Sequence, residues 1–107
     1  PDVRVAVIDD GVNANESSLY ERVAHNGWPR QHPTSSQSPW YQSFSGHGTE
    51  IAKLICSVCP FVKLYIAKLD FSGGPSTSAL RTAKSAVAAI KWAVSQEVHV
   101  ILISWPI

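Results

Sequence analysis

Val3-Arg4-Val5-Ala6-Val7-Ile8-Asp9-Asp10-Gly11 is the stretch on which the fold turns. From Val3 to Ile8 the chain is almost wholly apolar and rich in β-branched residues. A strand without apolar–polar alternation is buried on both faces, as strands inside a parallel sheet are. It closes on Asp9-Asp10-Gly11, where Gly11 marks a turn. In an open parallel sheet, sites form at this carboxyl end of the strands. The same pattern recurs further along. Val62 to Leu69 reads as a second strand and Val98 to Ser104 as a third. Two helical segments separate them. Thr49 to Val58 places Ile51, Leu54 and Ile55 on one face, and Pro60 stops it. Leu80, Ala83, Val87, Ile90 and Val94 recur at steps of three and four, one face of a second helix, with Lys84, Lys91 and Gln96 on its other side. Asp70 to Pro75 forms the turn before that helix, and Ser76 or Ser78 is its candidate cap. Strand, helix, strand, helix, strand predicts right-handed crossovers and a three-layer α/β parallel sheet.

Residues 13 to 46 stand apart. They are rich in Ser, Asn, Gln, Gly and Pro, with Trp28, Trp40, Tyr41 and Phe44 isolated among them. The stretch is far longer than an ordinary connection, and long loops in compact domains are often functional. A short helix around Ser17 to Ala24 and one short strand are expected within it. Trp28, Trp40 and Tyr41 either fold this loop onto the body or line a cleft. The first is favoured, because buried aromatics order a polar loop. Trp92 lies in the second helix and reads as packing.

At 107 residues, 45% hydrophobic and 16% charged, the chain suits one small folded domain. Nine basic and eight acidic residues are scattered along it, which argues against nucleic acid or an anionic membrane as partner. No apolar run approaches the roughly 20 residues of a membrane span. Pro1 leads straight into one apolar run and Ile107 follows another, so the chain is expected to be an excised piece of something longer. Cys56 and Cys59 form a lone C-x-x-C. It could serve redox chemistry or half a zinc site, but no second cysteine pair exists, and packed reduced thiols fit better.

Two motifs carry chemistry. Asp9, at the end of the first strand, could orient a histidine and stabilise its imidazolium. Ser45-Gly46-His47-Gly48-Thr49 sits immediately before a helix. Its glycines clear side-chain bulk from both sides of His47, and Gly48 is a candidate for a backbone angle closed to other residues. Thr49 is a candidate cap. A histidine at a helix N-terminus faces the positive end of the dipole, which favours the neutral ring of a general base. Taken alone, the motif fits a turn histidine with capping neighbours equally well.

Taken together, these blocks resemble a known family. Val5 to Gly11 resembles the segment around the catalytic Asp of subtilisin-like serine peptidases (subtilases). Gly46-His47-Gly48-Thr49 with Ile51-Ala52 resembles the segment around their catalytic His. Val62 to Leu69, Ala89 to Ala93 and Val98 to Ser104 resemble the strand, helix and strand that follow, and Asp before His is the subtilisin order. The resemblance implies a truncated, three-layer, parallel-sheet subtilisin-like fold, with residues 1–107 as the N-terminal part of the catalytic domain. It implies Asp9 as triad acid and His47 as triad base. Ser104 falls where the family pairs with extended substrate. There the family reads Ser-Leu-Gly and this chain reads Ser104-Trp105-Pro106, whose proline has no N–H to offer. Asp10 replaces the usual Thr or Ser, Glu50 replaces a second His, and His99 stands where the family often has Asp, as a packed or edge histidine. The Gly-Thr-Ser segment of the nucleophile is not found: the chain's Gly48-Thr49 is followed by Glu50.

The implied function of the full-length protein is serine endopeptidase. It would act on a polypeptide substrate, with the rest of the catalytic domain as partner to this piece and no metal or organic cofactor required. The piece alone is expected to be inactive. Two other readings are open. One is a non-catalytic, subtilase-like binding or regulatory module of a larger multidomain protein, since fold does not dictate function. The other is a phosphoacceptor receiver, with Asp9 and Asp10 holding Mg²⁺, Asp70 as phosphoacceptor mimic and Ser104 reading the phosphate. The length of the insertion after Gly11 weighs against it.

Overall fold

The computed structural model describes residues 2–30, 38–71 and 78–104. Its elements are β1 (Val3–Asp9), a 3-10 turn (Tyr20–Arg22), α1 (His47–Val58), β2 (Val62–Lys68), α2 (Ser78–Ser95) and β3 (Val100–Ile103). The three strands form one parallel sheet in the order β2-β1-β3. The register runs from Val3 opposite Val62 to Asp9 opposite Lys68, and from Val5 opposite Val100 to Ile8 opposite Ile103. The central place of β1 accounts for its unbroken apolar run, with Ala6, Val7 and Ile8 fully buried.

The core divides along the pleat of β1. Val5 and Val7 join Leu64, Ile66 and Ala52 of α1 on one face, with Ile51 and Ile55 packed against them. Ile8 joins Ala67, Leu69 and the α2 alanines Ala86 and Ala89 on the other. One helix covers each face, so the architecture is the expected three-layer α/β sheet. Chain direction across the sheet reverses between the two crossovers, which puts α1 and α2 on opposite sides. The carboxyl ends of all three strands meet at one edge.

The long connection after β1 is pinned to the body. Its expected helix over Ser17 to Ala24 shrinks to the single 3-10 turn. Among its described residues it makes, in place of a short strand, isolated parallel bridges, Val23 to Leu64 and Trp28 to Ala67, along the outer edge of β2. Trp40 is buried in the first core cluster, seated where a Cβ on Gly27 would collide with its ring, and Trp28 packs on the second cluster. These aromatics order the loop, while Tyr41 stays exposed and meets Trp40 edge-on.

α2 turns a different face inward from the one periodicity predicts, whereas α1 keeps Ile51 and Ile55 of its predicted face on the core. In α2 the buried residues are the small ones, Thr82, Ser85, Ala86, Ala89 and Ala93, with Ile90 and Trp92 packed beside them. Leu80, Val87 and Val94 are 61%, 55% and 63% exposed. The opposing surface already carries Ile8 and Leu69, and small helix residues let the backbone come close enough to fill the space between. In α1 the buried residues are Gly48, Thr49 and Ala52, and Leu54 is exposed. Cys56 and Cys59 are free, partly buried thiols packed against the core. Burial pushes the Cys56 thiol above its ordinary pKa. His99 is an exposed edge histidine that extends the β1–β3 pairing: its N–H donates to the Arg4 carbonyl at 2.8 Å, and its Nδ1 accepts the Arg4 N–H at 2.9 Å. The turn residues Gly73-Gly74-Pro75 and the candidate cap Ser76 lie outside the described residues.

Candidate active site

β1 delivers Asp9 to the carboxyl edge of the sheet, where it is buried. Its carboxylate is held by three donors. The Asp10 N–H bonds Oδ1 at 2.6 Å. The Ser104 hydroxyl, just past β3, bonds Oδ2 at 2.5 Å, and His47 Nδ1 bonds the same oxygen at 2.8 Å. His47 opens α1, so a residue 38 positions away in sequence meets Asp9 because β1 and the α1 N-terminus converge. The His47 side chain is 53% exposed against 7% for Asp9. With Nδ1 taken by the carboxylate, Nε2 is the nitrogen left for chemistry.

An open cleft of about 530 Å³ lies over the pair, lined by Asp9, Asp10, Phe44, Ser45, His47, Phe71 and Ser104. The structure therefore brings together all three residues singled out from the sequence, Asp9, His47 and Ser104. It gives the Ser104 hydroxyl a bond to Asp9. Trp105 and Pro106 lie outside the described residues.

The glycines around His47 act differently from the sequence expectation. Gly46, not Gly48, has the left-handed backbone, with φ of 92°, and stands at the N-cap of α1. Gly48 is required by contact: a Cβ there would sit 1.9 Å from the Gly11 carbonyl oxygen. The missing side chain lets α1 press on the exit of β1. Thr49 does not cap the helix. Its hydroxyl, buried one turn in, accepts the Asn13 N–H at 2.8 Å.

Asp10 points away from Asp9 into the loop before α1. Its Oδ1 accepts the Ser43 hydroxyl at 2.7 Å and the Gly48 N–H at 3.0 Å. Its Oδ2 accepts the Ser45 hydroxyl at 2.5 Å and the Ser45 N–H at 2.9 Å. Burial pushes its pKa up, but the hydrogen bonds from Ser45, Ser43 and Gly48 outweigh burial and hold it below the ordinary 3.8. Asp10 is thus spent on protein donors, unlike the metal-facing acid of a receiver. Asp70 is absent from the cleft lining, and its backbone is tied to α2 by Ser85 and Thr82. Among the described residues no group of three or more His, Cys, Asp or Glu side chains could hold a metal ion, and no helix is long and apolar enough to cross a membrane.

Sequence reading missed Lys68, Phe44 and Phe71. Lys68 is buried at the end of β2, and its signal was a lysine inside an apolar strand run, five residues from half-exposed Lys63 and so on the opposite face. Phe44 and Phe71, 81% and 41% exposed, flank the cleft. Exposed aromatics in a loop and a turn leave no periodic trace.

A parallel α/β sheet with an aspartate–histidine pair at its carboxyl edge is the setting of a serine peptidase-type domain. The subtilase family model matches residues 1–106, and the chain belongs to the subtilase family. No curated protein and no solved structure matches it.

Proposed function

We propose that the full-length protein is a serine endopeptidase and that these 107 residues are the N-terminal part of its catalytic domain. They contribute the acid, Asp9, and the base, His47, while the nucleophilic serine comes from residues outside this sequence. The observation that carries the reading is the 2.8 Å bond from His47 Nδ1 to buried Asp9, with the rest of the ring open to the cleft. Asp9 holds the imidazole in the tautomer that leaves Nε2 free to accept a proton. The serine oxygen attacks the peptide carbonyl carbon as its proton passes to Nε2. The tetrahedral intermediate then collapses, and His47 gives that proton to the departing amine. Water repeats the sequence on the acyl-enzyme.

Ser104 serves twice in this reading. Its hydroxyl steadies Asp9, and its backbone, continuing from β3, lies where extended substrate would pair. The outer edge of β3, unpaired among the described residues, and the exposed Leu80, Val87 and Val94 of α2 support a larger domain that covers them, since apolar surface of this extent favours burial. Fluorophosphonate labelling of the full-length protein, with His47→Ala as control, tests the reading. Labelling that the substitution abolishes is expected. A folded, fully processed protein that takes no label would instead place the chain among non-catalytic binding modules.

A further inference from the structure

Residues 38–46, which lead to His47, have no helix or strand, yet they are gripped at both ends by buried charges. Lys68, at the end of β2, donates from Nζ to the Ser38 hydroxyl at 2.5 Å, the Gln42 carbonyl at 3.0 Å and the Pro39 carbonyl at 3.4 Å. Asp10, at the end of neighbouring β1, accepts from the hydroxyls of Ser43 and Ser45 and the amides of Ser45 and Gly48. The division is complementary. The cation takes the acceptors of residues 38–42, and the anion takes the donors of residues 43–48.

The hydroxyls extend the anion's reach. Ser43 Oγ accepts the Gly46 N–H at 2.8 Å, and Ser45 Oγ accepts the His47 N–H at 3.3 Å. Asp10 therefore gathers, directly or through one hydroxyl, the amides of Ser45, Gly46, His47 and Gly48. Helix N-termini leave such amides unpaired, and a side chain at the N-cap normally serves them. The N-cap of α1 is Gly46, which has no side chain. A carboxylate from another element does the capping, and its charge also suits the positive end of the helix. Asp9 and Lys68 are register partners, so Asp10 leaves β1 one residue beyond the level of Lys68 on the adjacent strand. Burial lowers the Lys68 pKa, and attraction to Asp10 offsets part of that by favouring the charged form.

We propose that Asp10 and Lys68 are positioning residues for His47, a pair of opposite buried charges that clamp consecutive halves of the loop carrying the ring. Neither touches the reacting atoms. Their effect on peptide hydrolysis rests on the peptidase reading, whereas their effect on the geometry of the ring does not.

The full-length protein, Asp10→Asn and Lys68→Met are compared on two readouts. One is the ¹H NMR resonance of the His47 Nδ1 proton bonded to Asp9, assigned by its loss in His47→Ala. The other is steady-state peptide hydrolysis. Each variant is expected to weaken the resonance by exchange with water and to lower kcat about 10- to 100-fold with KM little changed, the scale of a misplaced catalytic group. Where either variant fails to fold, Ser45→Ala decides, since it removes a single hydroxyl and should give a partial loss of the same signal. Folded variants that keep both the resonance and kcat overturn the clamp. A parent protein that shows the resonance but hydrolyses nothing sinks the peptidase reading instead, and the clamp is then judged on the resonance alone.

Discussion

Helices α1 and α2 pack on opposite faces of the same sheet and use their sequences in opposite ways. α1 works through its end. Its first residue is His47, its N-terminus presses on the turn after β1, and its orphan amides are served by Asp10. α2 works through its side. It lays Ala86, Ala89 and Ala93 inward, brings no described residue to the cleft, and turns Leu80, Val87 and Val94 outward. The helix that positions chemistry adds to its core packing a set of polar contacts at its first turn, which fix direction. The helix that supports the sheet is held by close packing, which fixes distance.

The comparison breaks most sharply at Gly48. A Cβ there meets the Gly11 carbonyl, which belongs to backbone and has no rotamer by which to yield. Gly48→Ala should cost about 3 kcal/mol or more, in the range reserved for core clashes, measured as a shift of the urea midpoint in the full-length protein. A Gly48→Ala variant as stable as the parent would mean that α1 has room to move.

On α2 the matching test is Ala89→Leu, against the fully buried side facing Ile8 and Leu69. Overpacking there should cost about 1–3 kcal/mol by the same urea measurement. A neutral result would show that α2 does not lie close on the sheet.

The smallest effect is with pH. The folded-state pKa of Asp10 is lowered from 3.8, so its contribution is present above that value and is lost as pH falls through it toward the folded value. The urea midpoint should therefore drop as pH falls below about 4, and drop less in Asp10→Asn. Equal acid sensitivity in both would remove the carboxylate's role at α1.

Much was readable along the chain. β1 could be recognised because a central parallel strand must be apolar on both faces, and Val5 to Ile8 are. The ordering of the long loop by Trp28 and Trp40 followed from their size. The inward face of α2 was misread because a stripe of large apolar residues signals a helix but not which side meets the sheet. That side is chosen by how close the helix must come, and Ile8 and Leu69 demand alanine. Gly46 and Gly48 exchanged their expected reasons because φ and close approach both depend on what lies across from them.

The order of strands and helices, the parallel sheet and the two residues, Asp9 and His47, that the fold brings to 2.8 Å can all be read along the chain. These rest on local pattern and on motifs whose spacing survives in one dimension. The contacts of Asp10, Lys68 and the Ser104 hydroxyl emerge from folding alone. A buried charge or hydroxyl takes its role from the donors and acceptors that surround it, and here those lie 26 to 95 residues away.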